Sequence, residues 1–130
     1  MTSPYIISKY QIENGDDIIN AIGIDPDWEI FTKGKKEKEN YKKLLKQSAT
    51  FVCYQESEFC GFTRAVLDKG FAIYISELYV CPTHRNRKIA QQLIERVKEV
   101  FAEITVYVLS DEDLFYIKKG YKKVGSVFEI

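Results

Sequence analysis

From Ser76 to Ala90 the chain runs Ser-Glu-Leu-Tyr-Val-Cys-Pro-Thr-His-Arg-Asn-Arg-Lys-Ile-Ala. It opens as an apolar, strand-like run with one carboxylate, Glu77, and closes as the start of an amphipathic helix. Between them lie a proline turn and the cations Arg85, Arg87 and Lys88. A helix that starts where a strand stops points its first backbone N–H groups outward, and they add to the positive end of the helix dipole. Such a junction binds anions. Cations at a helix amino end are unfavourable unless an anion compensates them, so this cluster predicts a pyrophosphate ligand rather than a solvated cap.

Glu77 sits where the apolar pattern changes phase. Phe71, Ile73 and Ile75 are apolar at odd positions, whereas Leu78 and Val80 are apolar at even ones. A one-residue bulge around Ser76 and Glu77 absorbs that change and opens the sheet locally. A carboxylate aimed into such an opening can accept a proton; the bland alternative is an ordinary salt bridge at the sheet. His84 reads as solvent-facing or phosphate-adjacent. Cys81 reads as a turn thiol, since no base is in evidence to activate it.

The elements that must hold these groups follow from periodicity. Strands are expected at Tyr5 to Gln11, Thr50 to Gln55, Phe59 to Leu67, Phe71 to Val80 and Ile104 to Leu109, with a last one at Val124 to Ile130. The turn signals Glu56-Ser57-Glu58 and Asp68-Lys69-Gly70 make the middle three an antiparallel meander. Asn14 can cap a short helix through Ile22, and Lys35 to Gln47 is a charged helix with the narrow stripe Tyr41, Leu44, Leu45. Arg87 to Phe101 is the clearest helix. It is followed at once by a strand, which implies a right-handed parallel crossover. Glu112 to Lys119 is a further helix, closed by Gly120.

At 130 residues, the chain fits one domain spanning 1–130. Its 45% hydrophobic and 14% aromatic content argues against disorder. With 19 basic and 19 acidic residues there is no global field toward nucleic acid or membrane. Cys53, Cys60 and Cys81 lack metal-type spacing and read as free thiols of a reducing compartment. With no signal-like amino terminus, a cytoplasmic location is expected.

Two segments then carry a resemblance. Arg85-Asn86-Arg87-Lys88-Ile89-Ala90 is similar to the signature loop of the GCN5-related N-acetyltransferase (GNAT) superfamily: Arg or Gln, two residues, Gly, any residue, then Gly or Ala. Phe115-Tyr116-Ile117-Lys118-Lys119-Gly120-Tyr121 resembles that superfamily's aromatic segment in the last helix. The likeness runs from Phe51 to Gly125. The stretch Ala72 to Val80 with His84-Arg85, and the ending Val127 to Ile130, look most like the aminoglycoside 3-N-acetyltransferase branch. Two departures stand out: Lys88 replaces the glycine, and Leu109 replaces an asparagine before the last helix. The Lys88 backbone is expected to stay helical.

The resemblance implies an α/β fold, a mixed and mostly antiparallel sheet flanked by helices and splayed between strands four and five. It implies acetyl-coenzyme A as acyl donor and direct attack by an amine, with no metal. Leu78, Tyr79 and Val80 would bind the pantetheine arm by strand addition, and the backbone of Arg85, Asn86, Arg87, Lys88, Ile89 and Ala90 the pyrophosphate. Glu77 would accept the amine's proton, a freed N–H such as that of Val80 would hold the oxyanion, and Tyr116 would serve the departing thiolate. Tyr116 as core packing is the alternative. Trp28 and Phe31 would line the acceptor pocket or simply pack in the core. The expected acceptor is a small cationic amine, aminoglycoside- or polyamine-like. The alternatives are a protein or peptide amine, or a non-catalytic coenzyme A sensor, and a homodimer is conceivable.

Overall fold

β1 (Tyr5–Lys9), β2 (Ala49–Gln55), β3 (Glu58–Asp68), β4 (Ala72–Val80) and β5 (Thr105–Val108) lie side by side in chain order in one sheet. The computed structural model describes residues 3–130. The first four strands pair antiparallel, and β5 runs parallel to β4. The parallel step is made by α3 (Ile89–Val100), the crossover expected from the spacing. The mixed, mostly antiparallel sheet flanked by helices is therefore the architecture seen.

Each face of the sheet has its own core. Leu93, Ile94 and Val97 of α3 pack on Phe51, Cys53, Ala65, Ile73 and Ile75. On the other face α1 (Gly15–Ile22) and α2 (Lys35–Gln47) bring Ile18, Ile22, Tyr41 and Leu45 against Val52, Phe62 and Tyr79. Ile18, Ile22, Leu45 and Leu93 are fully enclosed, and each such side chain contributes roughly 1.5–3 kcal/mol of transfer free energy. No helix among the described residues is long and apolar enough to cross a membrane.

The phase change in β4 is a bulge. Arg64 stands opposite Glu77 and Ala65 opposite Ile75, which leaves Ser76 with no partner. Ile73 and Ile75 face α3, and beyond the bulge Leu78 and Val80 pack against that same cluster. Tyr79 joins the α1–α2 core instead.

Some boundaries differ from expectation. α3 begins at Ile89, not Arg87, because Lys88 is left-handed with φ +63° and ψ +19°. α4 covers Asp113–Lys118, and Gly120 follows it at φ +87°. The strand expected at Val124 to Ile130 does not form: residues 121–130 belong to no helix or strand. A strand needs a backbone partner as well as apolar residues. Val127 and Phe128 remain 75% and 80% exposed.

Candidate active site

β4 and β5 pair only from Ala72 opposite Thr105 to Ile75 opposite Val108, and the Leu109 amide makes a last bond, 2.9 Å, to the Ile75 carbonyl. Beyond the bulge β5 no longer follows β4, so a wedge opens beside residues 76–80. Cys81 N–H donates to the β3 carbonyl of Cys60 at 2.8 Å. Backbone groups alternate sides along a strand, so those of Leu78 and Val80 face the wedge. Tyr79 turns its backbone to β3. Its ring packs 5.2 Å from Trp28, which makes it part of the wall on the other face.

At the wedge mouth, the short 3-10 turn Pro82–His84 leads into residues 85–88 and then α3. Among the described residues, the first amide bonded in α3 is Gln92, to the Lys88 carbonyl at 3.0 Å, and the amides of residues 86–91 have no acceptor. Asn86 and Lys88 are both left-handed, at φ +64° and +63°. The helical backbone expected for Lys88 is thus corrected: its position demands the conformation that glycine adopts freely, and a lysine there is strained. Neighbouring N–H groups with such a residue among them form a concave anion nest. The Arg85 Nε donates to the Val80 carbonyl at 2.9 Å, and its guanidinium lies 5.7 Å over the Tyr79 ring. Arg87 reaches the Tyr5 hydroxyl at 3.4 Å. Arg85, Asn86, Arg87 and Lys88 are exposed, whereas Ile89 is buried. Ala90 is half-buried in the first turn of α3.

Glu77 is only 8% exposed. Its Oε1 accepts from Arg64 Nε and from the Tyr41 hydroxyl, each at 2.6 Å, and its Oε2 accepts from Arg64 Nη2 at 2.9 Å. Burial works to raise the carboxyl pKa, but hydrogen bonds from Arg64, Ser76 and Tyr41 outweigh it and hold it below the ordinary 4.5. Burial, followed by the Glu77 charge, pushes Tyr41 far above the usual phenol range. The result is a fixed anion with a guanidinium on one side and a neutral phenol on another.

Aromatic rings surround this carboxylate's supports. Phe31 lies 4.4 Å from Tyr41, and Trp28 lies 6.1 Å from Phe62 and 6.0 Å from Phe31. Both are half-buried on the α1–α2 face, the face of Glu77. Nearby Asp25 caps the 3-10 turn Pro26–Phe31 through the Asp27 amide, 3.0 Å away.

Tyr116 packs on the opposite face, against the α3 cluster, with Phe115 and Tyr121 at 5.0 and 6.3 Å. It lines a groove of about 1090 Å³ along β5, α3 and the carboxy-terminal segment. Burial raises its phenol to about 12. No hydrogen bond joins Tyr116 to Glu77 among the described residues. Sequence reading missed Arg64 and Tyr41. Arg64 had a signal, a lone cation inside the apolar run from Cys60 to Leu67; Tyr41 had none beyond its place on an apolar stripe.

The comparisons bear on the family and the fold. The profile described as "Acetyltransferase (GNAT) domain" matches residues 46–123. An aminoglycoside acetyltransferase from an uncultured soil metagenomic sample superposes with TM-score 0.75 at 21% identity, covering 98% of this chain and 97% of that one. Aminoglycoside N-acetyltransferase AAC(6')-Iy in complex with CoA gives TM-score 0.75 at 15% identity, covering 100% and 95%. A ribosomal-protein-alanine N-acetyltransferase from Brucella melitensis biovar Abortus 2308 gives 0.73 at 15%, covering 98% of each chain. No curated protein sequence matches significantly. The structural likeness includes a 6'-type enzyme, so it does not single out the 3-N branch. With more than half of its residues matched by that profile, the chain belongs to the GNAT acetyltransferase family.

Proposed function

We propose that this acetyltransferase moves the acetyl group of acetyl-coenzyme A to a primary amine of a small cationic molecule, of aminoglycoside or polyamine type. The observation that carries the reading is an ionised, rigidly held carboxylate, Glu77, placed just past the β4 bulge and flanked by an aromatic wall. A buried anion of this kind suits an ammonium group. The donor set fits the acyl donor: free amides from residue 86 to 91 for a diphosphate, and the wedge-facing backbone of Leu78 and Val80 for an amide-bearing arm. The neighbouring aminoglycoside acetyltransferases, one crystallised with sisomicin and one with a CoA bisubstrate analogue, support the acceptor class.

In the reaction the amine nitrogen bonds to the thioester carbonyl carbon, the C–S bond breaks, and the sulfur leaves with its electron pair. The Val80 N–H, facing the wedge, is placed to donate to the carbonyl oxygen as it gains charge. An alkyl ammonium loses its proton near ~10, far above the Glu77 carboxyl, which its hydrogen bonds hold below the ordinary carboxylate range. Glu77 is thus a weak final base. Its role is to hold the cationic acceptor and pass the proton through water to solvent. Tyr116 remains protonated and offers the leaving sulfur a hydrogen bond. Trp28 and Phe31 wall the acceptor.

The test is thiol release from acetyl-coenzyme A across aminoglycosides, polyamines, acetylatable peptides and free amino acids. Turnover confined to the polycationic small molecules supports the reading. Turnover confined to peptides refutes the acceptor class, and the absence of turnover on every amine refutes the reading altogether.

A further inference from the structure

Glu58, Cys60 and His84 form a second cluster, one that no spacing in the sequence reveals. At the β2–β3 end the register slips, with Cys53 opposite Gly61 and Tyr54 opposite Phe59, so Cys60 is left unpaired in a bulge. His84 closes the Pro82–His84 turn and is buried at 6% exposure, while Cys60 is fully enclosed. One donor atom from each of the three side chains lies within 4.8 Å of the other two. His84 Nε2 is 2.5 Å from Glu58 Oε2, and His84 Nδ1 is 3.0 Å from the Tyr5 hydroxyl. The Cys60 thiol makes a weak contact, 3.3 Å, with the Glu58 carbonyl.

We propose that Glu58, Cys60 and His84 bind a zinc-type divalent transition-metal ion. The donors are one thiolate, one imidazole and one carboxylate, a set suited to a borderline-soft cation and not to magnesium or calcium. Bond lengths near ~2.0 Å to nitrogen and oxygen and ~2.3 Å to sulfur place tetrahedral ligands about 3.3–3.7 Å apart. Glu58 therefore has to withdraw less than about 1 Å from the imidazole, and its side chain, 66% exposed, is free to do so. A thiolate and a carboxylate together neutralise a divalent ion, so its burial beside Cys60 leaves no uncompensated charge. Cys60 releases its thiol proton to solvent on binding. With Nε2 as ligand, Nδ1 carries the proton and donates to Tyr5, the outer hydrogen bond that orients ligating histidines.

The ion would tie three segments together: the β2–β3 turn through Glu58, β1 through Tyr5, and the start of the diphosphate loop through His84, which precedes Arg85. Tyr5 also touches Arg87. The role is structural and independent of which amine is acetylated.

The test is titration of chelator-treated full-length protein with Co²⁺, followed by displacement with Zn²⁺. The expected result is a thiolate-to-cobalt charge-transfer band with tetrahedral visible bands, saturating at one ion per chain. Cys60→Ser removes the charge-transfer band. Should Cys60→Ser fail to fold, Glu58→Gln at the surface and Tyr5→Phe serve in its place, each weakening the metal about tenfold or more. Absence of the band in the native protein overturns the proposal. So does a band that persists in Cys60→Ser, or metal affinity unchanged in both Glu58→Gln and Tyr5→Phe.

Discussion

The Arg64 guanidinium grips Glu77 from β3 in a fork, Nε to Oε1 at 2.6 Å and Nη2 to Oε2 at 2.9 Å, with both side chains at most 10% exposed. The carboxylate that the sequence offers as a proton acceptor is therefore also one half of a buried ion pair. Of the two readings of Glu77, these contacts describe the ion pair, which holds the anion in place.

Acid sensitivity follows from that pair. Because the folded pKa of Glu77 is lowered from 4.5, its stabilisation is fully present above that ordinary value and is lost as pH falls below it, through the folded value. The urea midpoint should hold steady from neutral pH to about 5 and then decline. In Glu77→Gln this residue's share of the decline should vanish. An acid limb identical in both proteins would dissociate Glu77 from it.

Arg64→Met should be more damaging than Glu77→Gln. It strands a buried carboxylate, at a cost of roughly 3–5 kcal/mol, whereas in Glu77→Gln the buried Arg64 cation loses its counter-charge but keeps an amide oxygen as acceptor. Chemical denaturation of both variants checks the order. At neutral pH, Glu77→Gln should lower kcat/KM for a cationic acceptor while leaving the coenzyme Kd nearly unchanged.

Tyr116→Phe addresses the leaving group. With the phenol held near 12 and a thiol near ~8.5, full proton transfer to sulfur runs uphill, and a hydrogen bond is what the hydroxyl supplies. Turnover should fall about tenfold, the worth of one hydrogen bond to a charged sulfur, with acceptor KM little changed. In the native enzyme no activity loss attributable to Tyr116 should occur below about pH 11. A variant that keeps full turnover would make Tyr116 a packing residue.

Lys88→Gly and Lys88→Ala separate backbone strain from charge. Glycine relieves the left-handed conformation at φ +63° and should add about 1 kcal/mol to the unfolding free energy. Alanine keeps the Cβ and should add none. Equal stability in the two variants would remove strain from the account.

Gly61→Ala tests the β3 approach to the wedge. A Cβ there would fall 2.6 Å from the Tyr79 carbonyl oxygen and 3.3 Å from the Val80 Cα. Accommodation should cost roughly 1–3 kcal/mol and weaken coenzyme binding by moving β4. Unchanged melting and coenzyme affinity would show that the strands yield freely.

Much of this architecture was legible from pattern alone. The swap from odd to even apolar positions at Ser76 located the bulge, and the strand, helix, strand spacing after Leu78 located the crossover. Both signals are local, written in residues that neighbour one another along the chain. The Val124 to Ile130 strand misled because apolar alternation reports what a segment can do, while pairing depends on which edge is within reach.

Local order, then, dictated the meander, the helix that opens after the basic loop at Arg85, and Glu77 and Tyr116 as the groups to consider. Folding alone decided that Arg64 and Tyr41 hold Glu77, that Lys88 is left-handed, and that Glu58, Cys60 and His84 converge. Periodicity records which face a residue turns to its own element. It carries no record of which distant side chain waits on that face, because such a meeting is set by the packing of whole elements against a shared sheet.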